Sequence, residues 1–154
     1  MRRIRDGNNV KPPRNLIDFV IMSQQAQLRS EDRAIREYEQ TNKVFEPDAL
    51  RRALRQLSEQ RVNDTLLAEA GKYAPVIERF RGGKAEHNEA SLAVVLNEQD
   101  ERQVKKEIRP LVEIGFLEEA HGSFKIPSLY RDGLEITQGK AFSDGGEVSD
   151  EEED

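Results

Sequence analysis

Arg102, Lys106 and Arg109 recur at intervals of four and three residues, with Lys105 alongside, in the run DERQVKKEIRPLVEIGFLEEAHGSFKIP that begins at Asp100. On a helix this spacing brings three cations to one side, where they can meet phosphate oxygens or base edges in a DNA groove. Val104, Ile108, Leu111 and Val112 form a separate apolar face of the same helix, expected over 100–114. The apolar face should therefore turn inward while the cations stay wet. Asp100, Glu101 and Glu107 dilute the charge, so an ordinary solvated helix face is the competing reading. His121 and Lys125, a little further on, are candidates for added contacts to a duplex backbone.

Other chemistry finds little support. Ser91 and Ser123 have no neighbouring His–Asp grouping in the sequence to activate a hydroxyl. His87 and His121 are far apart and have no second histidine or carboxylate at ligand spacing, so no metal site is expected. There is no cysteine, which removes disulfides and thiolate sites and permits a reducing compartment. A phosphate-binding loop needs GxxxxGK[ST], yet the Gly-Lys pairs at Gly71-Lys72, Gly83-Lys84 and Gly139-Lys140 are followed by Tyr or Ala and have no upstream glycine. No apolar run ends in paired acids of the Walker B kind. The expectation is a non-enzymatic chain with no catalytic residue and no cofactor of its own.

The elements that would position the basic side chains follow from local signals. Gly115 stands where a helix needs a left-handed cap. Phe116–Ala120 and Ser123–Ile126 flank His121-Gly122, a two-residue turn between short strands. With helices near 74–81, stopped by Gly82-Gly83, and 89–96, capped by Asn88, this order predicts a winged-helix domain over 73–142 with a β-hairpin wing. Pro110 conflicts with it, because proline inside a helix removes a hydrogen bond and costs about 3 kcal/mol. Either the helix kinks near Lys106–Arg109 or its first part is a separate short helix.

Upstream, Gly7-Asn8-Asn9 marks a loop, and Pro12-Pro13-Arg14 opens a helix to about Leu28. Leu16, Ile17, Phe19, Val20, Ile21, Met22 and Leu28 predict that this helix is buried over more than one stripe. Ser30-Glu31-Asp32 caps a second, mostly charged helix to about Thr41, burying only Ala34, Ile35 and Tyr38. Phe45-Glu46-Pro47-Asp48 opens a long helix, or two in tandem, ending near Gly71. It has a clear stripe of Ala49, Leu50, Ala53, Leu54 and Leu57 and a less regular one beyond. The expected architecture is mainly α: a lid-like helical segment (1–43), a helical connector (44–72), the winged helix (73–142) and a disordered acidic tail (143–154). After Pro127, the alternation of Leu134 and Ile136 predicts a last short strand or turn.

Composition sharpens this picture. Hydrophobic residues make up 36% and charged residues 35%, a balance that suits solvated helices around a thin core. The net charge of −6 comes from the tail: residues 144–154 hold seven acids and no base, leaving 23 acids against 24 bases before them. A local basic patch, not the total, would decide affinity for nucleic acid. Ser149 among the tail acids suits an acid-directed kinase, although a solvating tail is the simpler reading. No apolar run is long enough to span a membrane and no secretory signal opens the chain, so a cytoplasmic location is expected.

VKPPRNLIDFV resembles the lid helix of AAA-type P-loop ATPases, where a Pro-Arg pair opens a helix and the arginine senses nucleotide. LVEIGFLEEAHGSFKIPSLYRDGLEITQGKAF resembles the C-terminal winged helix of a bacterial, origin-recognition-like group of such ATPases. FEPDALRRALRQLSEQRVNDTLLAEA resembles the helical connector between them. The resemblance implies that Arg14 is the nucleotide-sensing arginine and that Lys106 and its neighbours lie on a recognition helix. ATP and magnesium are implied only if the chain joins a motor domain; the sequence resembles the non-catalytic end of such an ATPase, as a fragment or as a free-standing relative. Two functions follow: a regulatory module whose winged helix contacts duplex DNA, or a protein-interaction module that docks on an ATPase core, a partner subunit or itself.

Overall fold

The computed structural model of the chain describes residues 2–32 and 43–142. The expected helix around Ala34, Ile35 and Tyr38 and the acidic tail with Ser149 lie outside the described residues. Pro13 opens α1 (Pro13–Glu31) and Pro47 opens α2 (Pro47–Arg61), each at the first helical position, where a missing N–H costs nothing. α2 turns Ala49, Ala53 and Leu57 inward, as its spacing predicts. Beyond Arg61 the helix widens over Val62–Leu66 before α3 (Leu67–Ala70) ends at Gly71, whose φ is +53°. The wide turn accounts for the irregular spacing there, because it keeps Val62, Leu66 and Ala70 on the buried side.

Helix α4 (Ala74–Glu78), strand β1 (Lys84–His87), helices α5 (Glu89–Leu96) and α6 (Glu101–Glu113), and strands β2 (Glu118–Ala120) and β3 (Ser123–Lys125) follow. Helix α7 (Ser128–Arg131) and strand β4 (Thr137–Lys140) complete the order. The described residues are thus mainly helical with one small mixed sheet, ordered β2-β3-β1-β4. β3 pairs antiparallel with β2 and β1, setting Lys125 opposite both Glu118 and Glu86, while β4 joins β1 in parallel.

A continuous buried cluster runs through the three expected segments. Ile4 and Met22 meet Leu57, Ile77, Phe80, Leu92, Leu111, Phe116 and Leu134 in it. Phe116 packs edge-on against Phe80 at 5.2 Å and tilts toward Tyr130 at 6.3 Å. Gly133 closes α7 onto α2: its N–H donates to Ser58 Oγ at 2.8 Å, and a Cβ there would lie 2.7 Å from the Ser58 carbonyl oxygen.

One expectation is corrected and two segments are defined more closely. Of the two alternatives for Leu134 and Ile136, a last short strand or a turn, the turn is the one present: both residues are buried between α7 and β4, which begins at Thr137. Lys84–His87, whose sequence shows only one aliphatic residue, is a strand because β3 and β4 pair with it on both sides. α1 does not bury more than one stripe. Its buried residues are Asn15, Met22, Ser23, Ala26 and Gln27, whereas Leu16, Ile17, Val20, Ile21 and Leu28 are 38–58% exposed. The buried polar groups explain the choice of face. Asn15 donates to the Ile4 carbonyl at 3.0 Å, Ser23 to the Phe19 carbonyl at 2.7 Å, and Gln27 Oε1 accepts from the Glu46 N–H at 2.9 Å. Asn15 and Gln27 would lose these partners if α1 rolled over, whereas the Ser23 bond lies within the helix and would turn with it.

Candidate nucleic-acid interface

Asp100 starts α6 by accepting the Arg102 N–H at 2.9 Å on its side chain, with Glu101 in the first turn. Val104 (3% exposed), Ile108 (5%) and Leu111 (0%) then seat the helix on the core. Arg102, Lys105, Lys106 and Arg109 are all exposed. The separation of faces expected from the spacing is present, and the helix runs unbroken through Pro110, without the separate short helix offered as one alternative. Pro110 falls in the last turn, where its carbonyl still accepts the Ile114 N–H at 3.0 Å. The bond it cannot make belongs to the carbonyl of Lys106, an exposed residue with solvent at hand.

The end of α6 is held from the far end of the chain. Gly115 takes φ +76°, and the Phe116 and Leu117 N–H groups fold back to the Leu111 carbonyl at 2.9 and 3.0 Å. The Gly7 N–H donates to the Gly115 carbonyl at 2.8 Å, and Asn8 Nδ2 donates to the Glu113 carbonyl at 3.0 Å. Nothing in the sequence signals these contacts except the loop character of Gly7-Asn8-Asn9.

His121 and Gly122 form the hairpin tip with φ +50° and +76°, the paired positive values of a tight two-residue turn. His121 is exposed there. Lys125 is less available, since its Nζ lies 3.3 Å from Glu86 Oε1. On α6, Lys105 Nζ lies 3.5 Å from Glu89 Oε2, and Arg109 Nε lies 3.3 Å from Glu113 Oε1. These exposed pairs are individually weak, but they leave Arg102 and Lys106 as the cations best placed for a phosphate. Arg14, at the start of α1, is exposed, with its Nε 3.6 Å from Asp18 Oδ2. Asp18 also holds the buried Arg61 of α2, a pair the sequence does not announce.

Between α6 and the hairpin lies a cleft of about 520 Å³, lined by Ile108, Val112 and Phe124 together with Lys105, Arg109, Glu89, Glu113 and Glu119. Its three carboxylates would repel a phosphate backbone, which favours the N-terminal half of α6 for any duplex contact.

Ser91 has a histidine partner that the sequence does not lead one to expect: its Oγ is 3.3 Å from His87 Nδ1. The hydroxyl accepts the Asn88 N–H at 3.0 Å while Asn88 Oδ1 accepts the Ser91 N–H at 2.8 Å, a reciprocal cap on α5. His87 is 2% exposed, stacks edge-on against Phe80 at 5.4 Å and points Nε2 at the Lys84 carbonyl, 2.9 Å away. Burial holds its pKa below the ordinary value, with the Lys84 hydrogen bond opposing. The pair holds the strand-to-helix junction ahead of α6.

Among the described residues no group of three or more His, Asp or Glu side chains converges as a metal site would require, and no helix is long and apolar enough to cross a membrane. Comparison with protein-family models, with curated proteins and with solved structures gave no match.

Proposed function

We propose that residues 73–142 form a winged helix that contacts duplex DNA, within a non-catalytic regulatory module resembling the C-terminal part of a P-loop ATPase. The order α4, β1, α5, α6, β2, β3, with β1 antiparallel to β3 and β3 to β2, supports the winged-helix reading. The observation that carries the DNA reading is α6 itself: it buries Val104, Ile108 and Leu111 while exposing Arg102 and Lys106 beside a hairpin with an exposed His121. Phosphate contact by such side chains supplies sequence-independent affinity. Arg14 would be the nucleotide-sensing group if a motor domain were joined. A titration of labelled duplex DNA at several salt concentrations tests this reading. Binding should weaken with salt, and Arg102→Ala and Lys106→Ala should each lower the salt slope by about one. Micromolar or weaker binding at low salt, indifferent to both substitutions, overturns it.

A second reading, a protein-interaction module, is favoured by the apolar outer side of α1. Soluble monomers seldom leave five neighbouring aliphatic side chains this open. On this reading α1 docks on an ATPase core or another subunit.

A further inference from the structure

Away from α6, we infer that Arg3 and Arg131 form a receptor for the phosphate group of a small phosphate ester. Both side chains line a cavity of about 350 Å³ between the N-terminal segment, α2, α7 and β4. Ser128 and Gln138 bring a hydroxyl and an amide to the same cavity, and Leu54 and Ile136 give it an apolar side. Pockets for small molecules run from about 300 to 1,000 Å³ and set a few convergent polar groups against an apolar wall.

Arg131 is set in place before any ligand arrives. It is half-buried, its Nε donates to the Ile126 carbonyl at 2.7 Å, and its Nη1 donates to Gln138 Oε1. A guanidinium has more N–H groups than these two bonds use, and Gln138, which gives its oxygen to Arg131, still has its NH2 group as a donor. Burial lowers the pKa of Arg131, with Glu86 and Glu118 opposing and the charge of Arg3 adding to the fall. Those two carboxylates are held by other cations: Glu86 lies 3.3 Å from Lys125 Nζ and Glu118 lies 3.7 Å from Arg5 Nη2. Among the described residues neither Arg3 nor Arg131 has an ion-pair partner, whereas Arg5, Arg61 and Arg81 each have one. Two cations that face one cavity repel each other until an anion joins them.

The donor set suits a phosphate better than a carboxylate. Two guanidinium forks, a hydroxyl and an amide offer more N–H and O–H groups than two carboxylate oxygens can take. The ester group then has Leu54 and Ile136 to lie against. Asp132 is the one carboxylate among the described lining residues, and the two arginines outweigh it. The adjoining cavity shares Arg131, Asp132 and Ile136 but adds Glu59 and Glu135, and its Arg81 is already engaged by Glu78. The anion therefore sits on the Arg3 side.

The test titrates the full chain with inorganic phosphate and with phenyl phosphate, each replacing chloride at constant ionic strength, and follows arginine Nε–H and backbone amide signals by NMR. Saturable shifts at Arg131 and Ser128 are expected, with tighter binding of the ester. Arg3→Gln alters an exposed side chain and should weaken binding about tenfold or more. Arg131→Lys keeps the charge, loses the fork and should weaken it by a similar factor. Asp132→Asn should tighten it by up to about fivefold. Residues 144–154 carry seven carboxylates of their own, so the titration is repeated on a full-length chain with these changed to Asn and Gln. Equal binding by the two chains supports a site that phosphate meets without competition. Tighter binding by the neutral chain, lost again on Arg3→Gln, supports the same site with those carboxylates as competitors. No saturable shift in either chain, or shifts indifferent to Arg3→Gln, overturns the proposal. Displacement of the ester by duplex DNA would assign the cavity to a nucleic-acid backbone and overturns the small-ester reading. DNA contact by α6 stands or falls separately, on Arg102→Ala and Lys106→Ala.

Discussion

The Gly7 N–H reaches the Gly115 carbonyl at 2.8 Å, joining the segment ahead of α1 to the left-handed residue that ends α6. The approach is close enough to forbid a side chain: a Cβ on Gly7 would lie 2.7 Å from the Leu117 carbonyl oxygen and 2.8 Å from that of Gly115. Gly7→Ala should therefore destabilise the fold by about 1–3 kcal/mol, read as a lower urea midpoint. Gly122→Ala meets open space and pays only for its positive φ, about 1–2 kcal/mol. If Gly7→Ala unfolds at the wild-type midpoint, the tether is not formed.

Asp18 divides its carboxylate between an exposed and a buried guanidinium, Arg14 and Arg61. Arg61 is 6% exposed and its Nε already lacks a hydrogen-bond partner. Asp18→Ala strands that charge and should cost about 3 kcal/mol or more. Arg14→Ala removes only the solvent-exposed partner and should cost a few tenths of a kcal/mol. Asp18→Ala/Arg61→Met should recover most of the loss. Equal effects of Asp18→Ala and Arg14→Ala in chemical denaturation would refute the ranking.

Glu113 engages Arg109 on the exposed side of α6. If α6 meets DNA, Glu113→Gln should tighten duplex binding by roughly two- to fivefold at low salt, since it removes a repulsive charge and releases a cation. The gain should shrink as salt rises. Unchanged affinity at low salt would place the DNA contact away from the C-terminal turn of this helix.

His87 gives the fold a pH dependence whose sign follows from its burial. Its pKa is lowered from the ordinary 6.5, so between the two values the unfolded chain binds more protons. This contribution to stability is fully present above about pH 6.5 and is lost progressively as pH falls from there toward the folded value. His87→Phe, which keeps a ring against Phe80, should flatten the fall in Tm between neutral and mildly acidic pH. The same acid slope in both proteins would assign it to other groups.

α6 and the hairpin were legible because one element satisfied two independent signals: aliphatic spacing fixed the buried face of the helix, and His121-Gly122 fixed the turn. β1 was not, because Lys84, Glu86 and His87 show no strand preference and the strand exists through its partners on either side. Periodicity on α1 identified apolar side chains but could not say that, among the described residues, one face of the helix is buried and the other exposed. The contacts of Arg61 with Asp18 and Gly7 with Gly115 join distant parts of the sequence through polar or small residues, which leave no periodic trace. Basic spacing on α6 likewise placed the cations outward without revealing that Glu89 and Glu113 would partner two of them.

The cap that Gly7 and Asn8 place on α6 also has a mechanical consequence. Only a short connection separates these residues from the start of α1, so the two helices are joined there by one backbone and one side-chain hydrogen bond. A shift of α1 would therefore load the C-terminal end of α6 through these two bonds.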